Sequence, residues 1–263
     1  MRLLVGLAAV AAAGVVAGVV LATREDPVQP KAVCRTSQAV IVAGVPSTHL
    51  AAVRAAFAHG AKAAALALEP LAQESPKDAV VAFNDAIALY CAGYPNEAAT
   101  AFERTKNVGR NTYYAVKADN LLHPQYFQEG YPPFDYDGKD PLLLQGQLAQ
   151  RQYHQVTAEK LWAKDAKLHP GSDVAQVAAA VGLFDMDSPS KAFSKLGPLV
   201  KRFPKSQSVR FHLGLMLVWI GQRDQALTEL RDAVRLGPHT SLGTQAQKLV
   251  SSIESGGTSS TKR

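Results

Sequence analysis

Seven histidines and two cysteines are the residues of this chain best suited to chemistry. Their spacing does not assemble a reactive site. There is no His-Glu-x-x-His pair, no Gly-rich loop able to cradle a phosphate and no Gly-x-Ser-x-Gly elbow. His123, His169 and His239 lie beside prolines or turns at expected helix ends. Cys34 and Cys91 are too far apart in sequence for zinc-ligand spacing, which needs closely paired cysteines or histidines. In an oxidising compartment they can join as one disulfide; in the cytosol they stay reduced, and two incidental thiols fit the sequence as well. Asp135-Tyr136-Asp137-Gly138-Lys139-Asp140 has a faint likeness to a calcium loop. Its glycine comes too early, and Gly146 stands where the bidentate glutamate belongs, so a turn leading into a helix capped by Asp140 is the better reading. The expectation is therefore of a protein without metal, cofactor or catalytic residues.

The elements around these residues favour burial and helix. Hydrophobic residues make up 47% of the 263-residue chain and charged residues 19%, which allows a sizeable core. Aromatic residues are only 7%, so alanine and leucine must fill that core. Alanine favours helix because it loses no side-chain entropy there. The formal charge of +6 is a moderate basic bias, and no nucleic-acid partner is expected from it.

Leu3 to Ala22 is an unbroken apolar run. Twenty such residues make a helix of about 30 Å, matching the hydrocarbon core of a bilayer. The run exceeds the usual apolar stretch of a cleaved signal peptide, although Val20-Leu21-Ala22 offers a small-residue cleavage site. Residues 1–24 are read as a transmembrane anchor and 25–46 as a tether rich in proline. Arg2 and the terminal amine argue for an inside N-terminus, and Arg24, Lys31 and Arg35 argue the other way. The reading adopted places the main domain beyond the membrane. Gly14 and Gly18 form a GxxxG spacing that lets two spans self-associate, though any small-residue apolar helix shows the same pattern.

A period of 34 residues runs through the remainder. Pro170, Pro204 and Pro238 are 34 apart, as are Ala158, Ala192 and Ala226, and more loosely Gly146, Ala180 and Gly214. Three units follow at 139–172, 173–206 and 207–240. Ala64 and Ala98, with Ala52 and Ala86, define two degenerate units at 45–78 and 79–112 in the same phase. Ala98 and Ala158 differ by 60 rather than 68, which leaves 113–138 as an insert outside the repeat. Small residues are expected where two antiparallel helices cross closely. The large residue four positions after each alanine (Leu68, Phe102, Trp162, Leu196, Leu230) then fills the space between hairpins. Pro70 should kink or end the second helix of the first unit. Ser75-Pro76, Asp140-Pro141 and Ser188-Pro189 each offer a helix cap before a first-turn proline, and Pro95 opens another helix in the same way. Leu242, Ala246, Leu249, Val250 and Ile253 share one face of a closing helix at 241–254, and 255–263 reads as a disordered polar tail.

The last unit, through Leu213-Gly214, Gly221, Ala226, Leu230, Ala233 and Pro238, resembles the tetratricopeptide repeat family, whose unit is a 34-residue helix–turn–helix. Arg210 and Leu217 depart from the aromatics usual in that family. The resemblance implies an all-α solenoid of stacked hairpins and a concave surface lined by the first helix of each. The matching positions are Phe83, Ile87 and Tyr90 in 79–112; Leu143, Gln147 and Gln150 in 139–172; Val177, Val181 and Phe184 in 173–206; and Phe211, Leu215 and Val218 in 207–240. This surface is largely apolar and lacks the cations that family members use to clamp a C-terminal carboxylate. It suits an amphipathic helix or an apolar segment of a partner protein. Equally, the chain's own aromatic insert, 113–138, can fill it as a plug.

Between Asp187 and Asp224 no acidic residue occurs, while Lys191, Lys195, Lys201, Arg202, Lys205, Arg210 and Arg223 do. This basic strip faces solvent, or it meets anionic lipid or an envelope glycan. The sequence thus points first to a membrane-tethered scaffold that binds other proteins, and second to an envelope structural protein held by the strip.

Overall fold

The computed structural model describes residue 34 and residues 38–126 and 130–258. Every element among the described residues is helical. No described helix is long and apolar enough to cross a membrane; the apolar run 3–22 with its GxxxG, residues 25–33 of the expected tether, and the tail residues 259–263 lie outside the described residues.

The chain runs through α1 (Leu50–Ala56), a 3-10 turn (Phe57–His59), α2 (Ala61–Glu74), α3 (Ala79–Ala92), α4 (Pro95–Val108) and α5 (Tyr113–Leu122). After an irregular stretch come α6 (Pro141–Arg151), α7 (Gln155–Leu168), α8 (Asp173–Gly182), α9 (Ser190–Leu196) and α10 (Leu199–Arg202). α11 (Gln207–Trp219), α12 (Arg223–Leu236) and α13 (Ser241–Thr258) complete it. Successive helices pack as antiparallel neighbours, α2 on α3, α3 on α4, α6 on α7, α7 on α8 and α11 on α12, with α13 covering α12 and α11. The arrangement is solenoid-like.

The alanines at the repeat phase, Ala64, Ala98, Ala158, Ala192 and Ala226, are all fully buried. So are the large residues one helical turn later, Leu68, Phe102, Trp162, Leu196 and Leu230. The close approach in the hairpin is between the small residue of the first helix and this large one. A Cβ on Gly214 would lie 2.7 Å from Leu230 Cγ, and one on Gly146 would overlap the Trp162 indole. Trp162 Nε1 donates to Leu143 O at 3.2 Å, so the ring lies across α6.

Hairpin turns repeat as well. Gly93, Tyr153 and Gly221 occupy the fifteenth position of their units and have φ of 91°, 63° and 75°. A left-handed turn residue lets the chain reverse between helices, and glycine adopts it without strain. Tyr153 adopts it against its Cβ, and its ring packs edge-on against Tyr113 at 5.0 Å.

Several expectations need correcting. In the first unit Ala52 is exposed and Val53 is buried instead. The turn glycine there, Gly60, is displaced by one position as well. Pro70 does not end α2, which continues to Glu74; the carbonyl four residues back belongs to exposed Leu66, where water can replace the lost hydrogen bond. α3 is capped not by Ser75 but by Asp78, whose carboxylate accepts from Val80 N and Val81 N. Ser188 makes no side-chain cap, because α9 starts behind Pro189. Asp140 does cap α6, accepting from Leu142 N and Leu143 N. The insert begins with a helix, α5, and α13 extends to Thr258, past the expected 254.

Cys34 and Cys91 form a disulfide across 57 residues of sequence. The segment after Cys34 is no free tether. Val40, Ile41, Val42 and Val45 pack against the N-terminal core.

Replacing Gly146 by alanine forces the Trp162 indole off its site. We expect a loss of about 1–3 kcal/mol in urea unfolding. Gly171→Ala, at a site with open space around the missing Cβ, should change stability far less.

Candidate binding groove

The first helices of the C-terminal hairpins present Leu143, Val177, Val181, Phe211 and Leu215 on one buried inner surface, with Phe184 following α8. Gln150 and Val218 are half-buried beside them. The occupant of this surface is the chain's own Tyr126 and segment 130–136. Phe134 is 1% exposed, with its ring 5.1 Å from both Trp162 and His212. Tyr126 and Tyr131 meet Phe184 edge-on at 6.4 and 6.3 Å.

An extended segment in an apolar groove must still pair its main-chain N–H and C=O groups. Side chains of the groove do this. Gln150 accepts from Phe134 N at 2.9 Å and donates to Pro132 O at 3.0 Å. Gln147 donates to Phe134 O at 3.1 Å. Trp219 Nε1 donates to Gly130 O at 3.0 Å. His212 Nε2 accepts from Asp135 N at 3.0 Å, while its Nδ1 lies 2.8 Å from Ser208 O. That geometry requires the neutral tautomer with its proton on Nδ1. Burial agrees, pushing the His212 pKa down to about 4.

The N-terminal block repeats the arrangement with different parts. Asn84 accepts from Val40 N at 2.7 Å and donates to Val40 O at 2.9 Å. The Tyr114 hydroxyl accepts from Val42 N at 2.9 Å and donates to Val40 O at 3.1 Å. Phe83 and Ile87 are buried beneath, Phe83 lying 5.3 Å from Tyr114, and Tyr90 is half-buried.

Of the positions taken from the repeat phase, Gln147, Gln150 and Phe184 touch the occupying segment directly. The sequence does not single out His212, Trp219 or Asn84, and it marks Tyr114 only as one aromatic of the 113–138 insert. The available signal was a polar residue embedded in an apolar run, as Asn84 is in Val80-Val81-Ala82-Phe83-Asn84, or His212 between Phe211 and Leu213.

A polar cluster joins the two blocks. Asp119 on α5 is fully buried and accepts from the Tyr131 hydroxyl at 2.6 Å. The Lys106 ammonium bridges Asp119, at 2.7 Å, and Asp187. His123 contacts Asp187 at 2.8 Å and Asp119 at 3.1 Å. Desolvation works against the Asp119 carboxylate, but the hydrogen bonds from His123, Lys106 and Tyr131 outweigh it and lower the pKa. The Asp119 hydrogen bond in turn raises the pKa of His123. Asp119, His123 and Asp187 have donor atoms close enough for a metal, as do Asp140, Asp165 and His169. In the first group the Lys106 ammonium already supplies the positive charge; in the second, one Asp140 oxygen is committed to the α6 cap.

The basic strip is divided. Lys195, Lys201, Arg202 and Lys205 are exposed. Arg202 donates to Pro170 O at 2.6 Å. Lys191 pairs with Asp185 at 3.0 Å, and Arg210 is paired with Glu229 at 2.8 Å and mostly shielded from solvent. Arg210 therefore does not belong to an open cationic surface.

Compared with protein-family models, curated proteins and solved structures, the chain matches none.

Removing the Phe134 ring should cost about 3–5 kcal/mol, since its space closes only partly; urea unfolding of Phe134→Ala checks this. His212 titrates lower in the folded chain than its ordinary 6.5. The unfolded state therefore binds the extra proton, and stability is complete above 6.5 and falls as pH drops from there toward 4. Urea midpoints at pH 7 and pH 5 should differ more in the parent chain than in His212→Gln.

Proposed function

We propose that this chain is a membrane-tethered interaction scaffold of the tetratricopeptide type, anchored by residues 3–22, with its repeat domain on the oxidising side of the membrane. It binds other proteins and carries out no catalysis. The observation that carries this reading is the chemistry of the inner groove. Gln147, Gln150, His212 and Trp219 grip main-chain atoms of an extended segment, while Val181, Phe211 and Leu215 form the apolar bed around it. Such a surface recognises an extended apolar segment by its backbone and by a few aromatic anchors. Segment 130–136 is the resident occupant, and a partner segment acts by displacing it or by lengthening it. The Cys34–Cys91 disulfide supports an extracytoplasmic location, where such bonds persist.

The exposure of Lys195, Lys201, Arg202 and Lys205 favours one second reading, an envelope structural protein held on anionic lipid or glycan by this strip. Charge reversal at Lys201, Arg202 and Lys205 separates the two. Lost envelope retention supports the second, and unchanged retention with intact partner capture supports the first.

The direct test is a photo-crosslinking residue at Val218 in native membranes. We expect adducts to another protein, and more of them in Phe134→Ala, where the resident segment is loosened. Adducts confined to the chain's own 130–136 segment in both backgrounds would overturn the scaffold reading.

A further inference from the structure

A second recess lies on a different face of the N-terminal block from the one that holds Val40. It has a volume of about 580 Å³, within the size range of small-ligand sites. α2 and α4 form its two walls and α3 its floor. Glu69, Asp85 and Arg104 form its polar end; Leu66, Leu89 and Tyr94 supply apolar lining. Leu66 is 76% exposed and Tyr94 47% exposed, unusual for large apolar side chains at the mouth of a cleft.

The polar end is incompletely paired. Asp85 is 2% exposed, and its one ion pair among the described residues is a single contact, Oδ2 to Arg104 Nη2 at 2.7 Å. Among the described residues, Asp85 Oδ1 and Arg104 Nε are buried with no hydrogen-bond partner. A buried carboxylate oxygen left unpaired costs free energy that a bound donor restores. The charges are also unbalanced, because Glu69, Asp85 and Glu97 line the recess against Lys62 and Arg104. Desolvation raises the Asp85 pKa and nearby Glu69 raises it further, even against the pull of Arg104. What the polar end lacks is one more positive charge able to donate hydrogen bonds.

We propose that this recess binds a small amphiphilic amine, with its apolar stem against Leu66, Leu89 and Tyr94 and its protonated amine between Asp85 and Glu69. The ammonium joins Arg104 at Asp85 and leaves the existing Arg104 pair in place. The Tyr94 ring adds a face that a cation or an apolar stem can cover. A carboxylate ligand is disfavoured by the same three acids, and a neutral alcohol leaves the charge imbalance in place.

The experiment is calorimetric titration of the full-length chain with octylamine, octanoate and 1-octanol at neutral pH. Octylamine should bind at least about tenfold more tightly than 1-octanol, the worth of one charged hydrogen bond. Octanoate should bind more weakly still. Glu69→Gln, on an exposed rim position, should weaken octylamine about tenfold and leave 1-octanol unchanged, and Asp85→Asn should weaken it at least as much. Circular dichroism checks the fold of each variant, and Glu69→Gln decides the matter if Asp85→Asn does not fold. Equal affinity for octylamine and 1-octanol, tighter binding of octanoate, or octylamine binding indifferent to Glu69→Gln would each overturn the proposal.

Discussion

Every hairpin in this molecule depends on how closely its two helices can approach. Where α6 passes α7, the approach is set by Gly146 against Trp162, and where α11 passes α12, by Gly214 against Leu230. The large residue needs the small one opposite it, and both need the buried alanine one turn earlier, which keeps the second helix tight against its neighbours. From this follow the 34-residue period, the sideways stacking of hairpins and the continuous apolar surface along the first helices. An apolar surface of that length cannot stay open without cost, and two stretches of the same chain, 38–46 and 130–136, lie on it.

Those stretches impose the second requirement. Helices satisfy their own backbone; extended chain does not. Each stretch is therefore met by a small set of side chains with both donor and acceptor capacity, amides at Asn84, Gln147 and Gln150, and a neutral imidazole at His212. These residues look out of place in an apolar helix face until the extended chain beside them is considered. His212 shows the cost of such a solution, since its neutrality ties the anchoring of segment 130–136 to pH.

The 34-residue period is visible in the sequence because alanine and its large companion recur at the same phase whatever surrounds them. The first unit slips by one residue at Val53, because α1 is short and ends in a 3-10 turn. Pro70 misleads because its missing hydrogen bond falls on the exposed side of α2. The groove positions follow from the phase, yet the residues that grip the occupying segment do not. Their partners are 13 to 89 residues away in sequence, and no local pattern encodes a hydrogen bond to a distant main-chain atom. Whether two cysteines pair depends likewise on the tether folding back onto α3, and the tether has no periodicity to announce it.

The disulfide also determines how the domain meets force. Cys34 lies upstream of the whole N-terminal block and is bonded to Cys91 near the end of α3. Tension applied to the chain before Cys34 therefore enters the fold at Cys91. It bypasses Val40 in its groove, the short α1, and α2 with its internal proline. The bridge works as a mooring point: the first hairpin hangs inside a slack covalent loop, and the strain is delivered to α3, the most completely buried helix of that block.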